Sequence, residues 1–102
     1  MDDTELLVVA KDCRDRILGE GNSAGMCATV SMALCGYLSA FHDLQTTVIM
    51  ANLSDNPKSP CYDHVWLRLE DGRALDATYD QFDGDDRPAV YLGSPTEFHG
   101  VT

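Results

Sequence analysis

Basic residues are scarce in this sequence. Its 102 residues include 7 lysines and arginines against 17 aspartates and glutamates, which gives a formal net charge of −10. Sequence-independent binding to nucleic acid depends on cations that neutralise phosphates, so no direct contact with nucleic acid is predicted. The same acidity would suit a basic partner, or imitate nucleic acid toward a protein that binds it. A non-enzymatic acidic interaction protein or inhibitor therefore stays open as a function.

Basic side chains are lacking at the N-terminal residues too: residues 1–4 have none that could form the cationic start of a signal peptide, so no secretory signal is predicted. An oxidising compartment is therefore not expected, and a cytoplasmic location is predicted. The cysteines are then expected as free thiols rather than as disulfides. They are four in number: Cys13, Cys27, Cys35 and Cys61.

One stretch lacks charge altogether. Residues 21–41 contain no Asp, Glu, Lys or Arg, and the stretch is long enough to raise the question of a membrane span. Its asparagine, serines, threonine and internal glycines argue against that. The composition predicts instead a central helix that protein encloses on nearly all sides, and no association with a membrane.

Two helices are predicted in the first half of the chain. Residues 3–18 place apolar side chains at steps of three and four, with charges elsewhere, and Asp2 and Glu5 have the spacing of a capping box. A second helix should begin at the good N-caps of residues 22–23 and end near residue 42. Cys27 then falls in its first turns.

The second half of the chain has the pattern of β-strands. Residues 46–53 are rich in β-branched side chains, residues 63–69 alternate, and a third strand is predicted over residues 73–79. A short apolar run, residues 89–92, follows an acidic loop. These elements predict one α+β domain over residues 1–102, with N-terminal helices packed on an antiparallel β-sheet.

Cys27, His64 and Asp76 are the residues to which the sequence assigns chemistry. A thiol attacks a carbonyl as a thiolate, and a helix N-terminus and a nearby imidazolium both lower its pKa. Cys27 has the first of these through its place in the second helix. His64, on an adjacent strand, would supply the second, and the Asp76 carboxylate behind it would fix its tautomer and orientation.

The hairpin that joins the strands of His64 and Asp76 decides whether their side chains lie on the same face of the sheet. A two-residue turn would place Asp76 on the face away from His64. In a three-residue loop, Gly72 is left-handed and Leu69 pairs with Arg73. Asp76 then lies diagonal to His64 on the same face. The second register also gathers the apolar residues of both strands on one side, so it is the predicted one.

Three segments together resemble a known family. Gly-Met-Cys at residues 25–27, His-Val-Trp-Leu at 64–67 and Leu-Asp-Ala-Thr at 75–78 are similar to the transglutaminase-like branch of the papain-like cysteine protease superfamily. In that branch Cys opens a helix, His lies on a strand and Asp lies on the next strand. The resemblance spans residues 22–82. It implies a papain-like, transglutaminase-like fold of a helix packed on an antiparallel sheet.

The resemblance also implies an activity and roles. Cys27 would be the nucleophile, His64 the general base and acid, and Asp76 the orienter. The reaction would be acyl transfer through a thioester on Cys27, as in a protease, an amidase or deamidase, or a transglutaminase-like enzyme. It implies a protein or peptide substrate and no cofactor, and hydrolysis is the predicted outcome.

The chain departs from the family where an oxyanion donor is needed. The papain branch has Gln six residues before the nucleophile, and that position here is Gly21. The predicted donors are therefore the backbone N–H of Cys27 and the side chain of Asn22. Trp66, beside His64, is predicted to border the substrate or to shield the imidazole from water, with a plain core position as the alternative.

The residues assigned a function also have plain structural interpretations. Cys27 alone could be a buried structural thiol, and Asp76 could make a local contact at the end of a strand. No metal site is predicted, although two sets of residue types invite one. A zinc set would draw on Cys27, Cys35, Cys61 and His64, of which the first two lie far apart along one helix.

The second set is acidic. Calcium could bind the carboxylates of the loop, but the glycine and terminal glutamate of an EF-hand are missing, so a solvated acidic turn is predicted. His99 is assigned no role, since it lies close to an end of the chain that is expected to fray. The acidic residues in question are Asp80, Asp83, Asp85 and Asp86.

Overall fold

A four-stranded antiparallel sheet with two helices on one face forms the structure. The computed structural model describes residues 1–21, 23–59, 63–82 and 87–100. The strands lie in the order β1-β2-β3-β4, so sequence neighbours are neighbours in the sheet. The fold is therefore α+β, with the helices N-terminal to the sheet. The elements are α1 (Asp3–Leu18), α2 (Cys27–His42), β1 (Thr47–Asn52), β2 (Asp63–Arg68), β3 (Ala74–Asp76) and β4 (Tyr91–Gly93).

Helix α1 confirms the predicted bounds and cap. The Glu5 backbone N–H donates to Asp2 Oδ1 at 2.8 Å, which satisfies one of the free donors at the helix start. Leu6 and Ala10 face the core as expected. Arg14 is a correction, because it is buried although the pattern placed charges only on the outer surface.

Helix α2 corrects two predictions. It begins at Cys27 rather than at residues 22–23, and Met26 is its N-cap without a side-chain cap. It is also not enclosed on all sides: Met32 is 64% exposed and Phe41 is 72% exposed. Among the described residues, no helix is long and apolar enough to cross a membrane.

The hairpin between β2 and β3 has the predicted register. Leu67 is the partner of Leu75, and the Leu69 N–H donates to the Arg73 carbonyl at 2.9 Å. Gly72 has a φ of 91° and its N–H donates to the Leu69 carbonyl at 3.0 Å. The three-residue loop therefore forms because Gly72 adopts the left-handed conformation at no steric cost.

Two glycine substitutions test this account of the loop. We expect Gly72→Ala to lower the free energy of unfolding by about 1 kcal/mol, because alanine is strained at positive φ. Gly36→Ala should raise it by about 1 kcal/mol, since Gly36 is helical and an added Cβ meets nothing within 4 Å. Urea denaturation measures both. Equal effects of the two substitutions would contradict the assignment.

The two faces of the sheet are both covered. One core lies between the helices and the sheet, and a second, aromatic core lies on the opposite face with Phe82 and Phe98. The third strand is shorter than the predicted 73–79, because it ends at Asp76. Tyr79 consequently leaves the sheet in a short 3₁₀ helix, Tyr79–Gln81, and joins the aromatic core instead of the helix-facing one.

Candidate active site

An opening between β2 and β3 provides the place for the site. In the register of this hairpin, Val65 would pair next with Ala77, but β3 has already ended. Buried backbone polar groups need hydrogen-bond partners, and those that β2 lacks on this side are supplied by helix α2. The Ser31 hydroxyl donates to the Val65 carbonyl at 3.0 Å. The start of α2 is thereby fixed against the open edge of β2.

Cys27 is the first residue of α2 and lies at this edge. Its Sγ is 3.9 Å from the Asp63 carbonyl, and 6% of the residue is exposed. Burial raises the pKa of the thiol. Interactions with the His64 side chain and hydrogen bonds with the Val65 and Ala28 backbones outweigh burial, so the pKa lies below its ordinary value. The position therefore favours a thiolate.

His64 and Asp76 form a fully buried pair. His64 Nε2 lies 2.6 Å from Asp76 Oδ2, and both residues are 0% exposed. Because Nε2 is held by the carboxylate, Nδ1 is the ring nitrogen through which His64 could exchange a proton with the Cys27 thiol, and the Gln81 amide nitrogen also lies 3.1 Å from it. The three predicted residues are thus brought together in the order thiol, imidazole, carboxylate.

The charges of the pair support each other. Burial lowers the pKa of His64, but hydrogen bonds with Asp76 and Cys27 outweigh it and raise the pKa to about 9. Burial raises the pKa of Asp76, while hydrogen bonds from His64 and His99 bring it down to about 2. A raised imidazole pKa and a lowered thiol pKa together favour a thiolate–imidazolium pair at neutral pH.

His99 is the member of the site that the sequence did not predict. Its Nε2 lies 2.8 Å from Asp76 Oδ2, the same oxygen that His64 contacts. The Thr96 backbone N–H donates to His99 Nδ1 at 2.9 Å, within the short 3₁₀ helix Glu97–His99. A Thr followed three residues later by His was the available indication of an ordered cap rather than a frayed end.

Gln81 was also missed. Its Nε2 lies 3.1 Å from His64 Nδ1 and donates to Thr78 Oγ1 at 3.1 Å. Its Oε1 is buried and, within the described part of the chain, has no hydrogen-bond partner. In this orientation Gln81 suits a neutral imidazole. A turn of the amide would direct Oε1 to Nδ1, where it could accept from an imidazolium.

Trp66 lies in the aromatic region of the site. It is 4% exposed and packs against His99 with ring centroids 4.9 Å apart. This position excludes water from the His–Asp pair and leaves little surface for a substrate. Contact between Trp66 and a substrate remains a prediction. Asn22, the predicted oxyanion donor, lies outside the described residues.

The candidate metal ligands have other partners in the described part of the chain. The one group of His, Cys, Asp and Glu close enough for a metal there is His64, Asp76 and His99. Since Thr96 donates to His99 Nδ1, the proton of that ring is on Nε2, which therefore offers no lone pair to a cation. Cys35 instead lies 3.8 Å from the Thr46 carbonyl. The group is better described as hydrogen-bonded than as a ligand set.

Of the four acidic residues in the loop, the structure describes Asp80, which is paired with Arg14. Asp80 accepts two hydrogen bonds from Arg14, at 2.8 and 2.6 Å, so it is not the solvated carboxylate that the sequence predicted. The remaining candidates lie outside the described residues. They are Asp83, Asp85 and Asp86 of the calcium interpretation and Cys61 of the zinc interpretation.

Comparison with known proteins adds no relative. No protein-family model, no curated protein and no solved structure matches this chain.

Proposed function

We propose that the chain is a cysteine-nucleophile acyl-transfer enzyme of the transglutaminase-like branch of the papain-like fold. One observation carries the proposal: the thiol of the first residue of α2 has its pKa lowered by the His64 side chain, whose Nε2 lies 2.6 Å from the buried Asp76 carboxylate. The roles of nucleophile, base and orienter need this order of groups. The order and spacing of the sequence motifs support the family assignment.

The proposed reaction begins with attack of the Cys27 thiolate on the carbonyl carbon of an amide or ester. The backbone N–H of Cys27, at the first position of α2 where donors have no partner within the helix, is the proposed donor to the oxyanion. As the tetrahedral intermediate collapses, His64 gives its Nδ1 proton to the leaving group and a thioester remains on Cys27. Water, deprotonated by His64, then attacks the thioester and releases the acid and the thiolate.

We assign part of a protein or peptide substrate to a cavity whose walls include none of Cys27, His64 and Asp76. It has a volume of about 420 Å³ and lies between the loop after β1 and the 3₁₀ helix Glu97–His99. Asn52, on its wall, is the strand partner of Asp63, whose carbonyl lies next to the Cys27 sulfur. A substrate side chain bound in the cavity would then be separated from the thiol by strand β2.

Alkylation by iodoacetamide tests the proposal without a known substrate. At pH 6 we expect Cys27 to react on the order of 100-fold faster than Cys13, because an ordinary thiol is almost wholly protonated there. Burial and the nearby Asp12 raise the pKa of Cys13, so it is a matched internal reference on the other helix. Peptide mass spectrometry after timed labelling measures the rate at each cysteine.

His64→Ala is the control for this experiment. It should move the reaction of Cys27 to higher pH, because the thiolate loses its imidazolium partner. Slow labelling of every cysteine at the same rate would contradict the enzyme assignment. That result would favour the acidic interaction protein, in which Cys27 is only a buried thiol.

A further inference from the structure

Asp76 Oδ2 accepts hydrogen bonds from two histidines. His64 Nε2 lies at 2.6 Å and His99 Nε2 at 2.8 Å, while Asp76 Oδ1 accepts from the Thr78 N–H at 3.1 Å. A Cys-His-Asp site needs only the first of these histidines. The second is buried, comes from a different part of the chain and has no part in the reaction proposed above.

The tautomer of His99 is fixed by the backbone. Because the Thr96 N–H donates to Nδ1 at 2.9 Å, Nδ1 must keep its lone pair and Nε2 must carry the proton. His99 thus directs its Nε2–H at Asp76. This distinguishes it from His64, whose Nδ1 gains and loses a proton in the proposed reaction.

The ring of His99 is also held in place by its neighbours. It stacks on Tyr79 at 5.5 Å and on Tyr91 at 5.6 Å between ring centroids, and Trp66 lies 4.9 Å away. Only 4% of His99 is exposed. An enclosed ring in stacked contact cannot swing out without opening the aromatic core, so its Nε2–H is a fixed donor.

We propose that His99 is a positioning residue that holds the Asp76 carboxylate in the orientation in which it can orient His64. The inference rests on the proposed function of the site, to which it adds His99 as the residue that supports Asp76. A carboxylate can rotate about its Cβ–Cγ bond. Two donors on Oδ2 that come from different segments, together with Thr78 on Oδ1, leave it one orientation.

Two substitutions separate this role from the capping role of His99. Gln places its Nε2 where the imidazole Nε2 lies, so His99→Gln keeps a donor for Asp76 and loses the acceptor for Thr96. Asn places its Oδ1 where Nδ1 lies, so His99→Asn keeps the acceptor and ends one bond short of Asp76. Each variant therefore keeps one of the two hydrogen bonds.

Alkylation of Cys27 by iodoacetamide at pH 6 is the first measurement. We expect His99→Asn to slow it about tenfold, the effect of one unit in the apparent pKa of the thiol, whereas His99→Gln stays within about twofold of wild type. Rescue by Gln is the informative result, because a purely structural role in the cap would favour Asn. Equal losses in both variants, or no loss in either, would overturn the proposal.

A second measurement does not depend on reactivity. The proton that His64 shares with Asp76 should give a downfield ¹H resonance in the ¹⁵N-labelled chain, which we expect His99→Gln to keep and His99→Asn to lose. If wild-type Cys27 shows no preference at pH 6, the proposed function fails, but this resonance still decides whether His99 positions Asp76. Its persistence in His99→Asn would refute the positioning role.

Discussion

Asp76→Asn is expected to lower turnover through Cys27 by up to about 10⁴-fold, by analogy with the matching change in serine triads. The reason is the wrong tautomer. An asparagine Nδ2 in place of Oδ2 would face the Nε2–H of His64, so the histidine would move its proton to Nδ1. A neutral imidazole that carries its proton on Nδ1 has no lone pair there and cannot take the proton of the Cys27 thiol.

Neither orientation of the asparagine amide satisfies all of its neighbours. Turning the amide would bring its oxygen to the histidines, but its Nδ2 would then face the Thr78 N–H, which lies 3.1 Å from Oδ1 in the native site. His99 cannot adapt, because Thr96 fixes its proton on Nε2. All the neighbouring groups donate, so only an ionised carboxylate satisfies them.

Burst hydrolysis of p-nitrophenyl acetate is a direct measure of this loss, with thermal denaturation as the test that the variant remains folded. Thr78→Val is the control, since it removes the weak 3.4 Å contact of the Thr78 hydroxyl with Oδ1 and the acceptor of the Gln81 amide but keeps the backbone N–H that donates to Asp76. It should change the rate far less. Asp76→Ala adds a second test: an unchanged alkylation profile of Cys27 there, with a shifted one in His64→Ala, would show a dyad in which Asp76 has no part.

The hairpin shows what local sequence information can determine. Side chains alternate along a strand, so the register of β2 and β3 has only two outcomes for His64 and Asp76. The apolar pattern and Gly72 favour the same one, and the structure has that register. Cys27 at a helix N-terminus follows from a similar local pattern, although the helix begins later than predicted.

The rest of the site depends on contacts between distant parts of the chain. His99 meets Asp76 only because a 3₁₀ helix near the end of the chain folds over the sheet face that carries His64. No periodicity within one element contains that information. The exposed side of α2 was missed for a related reason: the absence of charge predicts that a face is covered, but does not show whether this chain covers it.

Arg14 is the second non-local contact, and it supports the turn that carries the site. Its guanidinium donates to the Ala77 carbonyl at 3.1 Å, to the Ala89 carbonyl at 2.9 Å and to both oxygens of Asp80. The Ser23 hydroxyl donates to the same carboxylate at 2.6 Å. Helix α1, the segment before α2, the turn after β3 and the segment before β4 therefore meet at the Arg14–Asp80 ion pair.

We expect Arg14→Met to lower the free energy of unfolding by about 3 kcal/mol, because the Asp80 carboxylate loses its charge partner and two carbonyls lose their guanidinium donor. Methionine keeps most of the apolar length of the side chain, so the loss reports the hydrogen bonds rather than a cavity. Urea denaturation measures the change. Asp80→Asn added to Arg14→Met should restore part of the stability, since it removes the charge left without a partner.

Arg16→Met is the matched control on the same helix. The Arg16 side chain is 79% exposed and pairs with Asp12 at 2.9 Å, four residues away, so its removal should change the free energy of unfolding by less than about 0.5 kcal/mol. Because Arg14 fixes the turn that leads from Asp76 to Gln81, Arg14→Met should also slow alkylation of Cys27 at pH 6, and Arg16→Met should not. Equal costs for the two arginines would mean that the Asp80 cluster contributes no more than a surface ion pair.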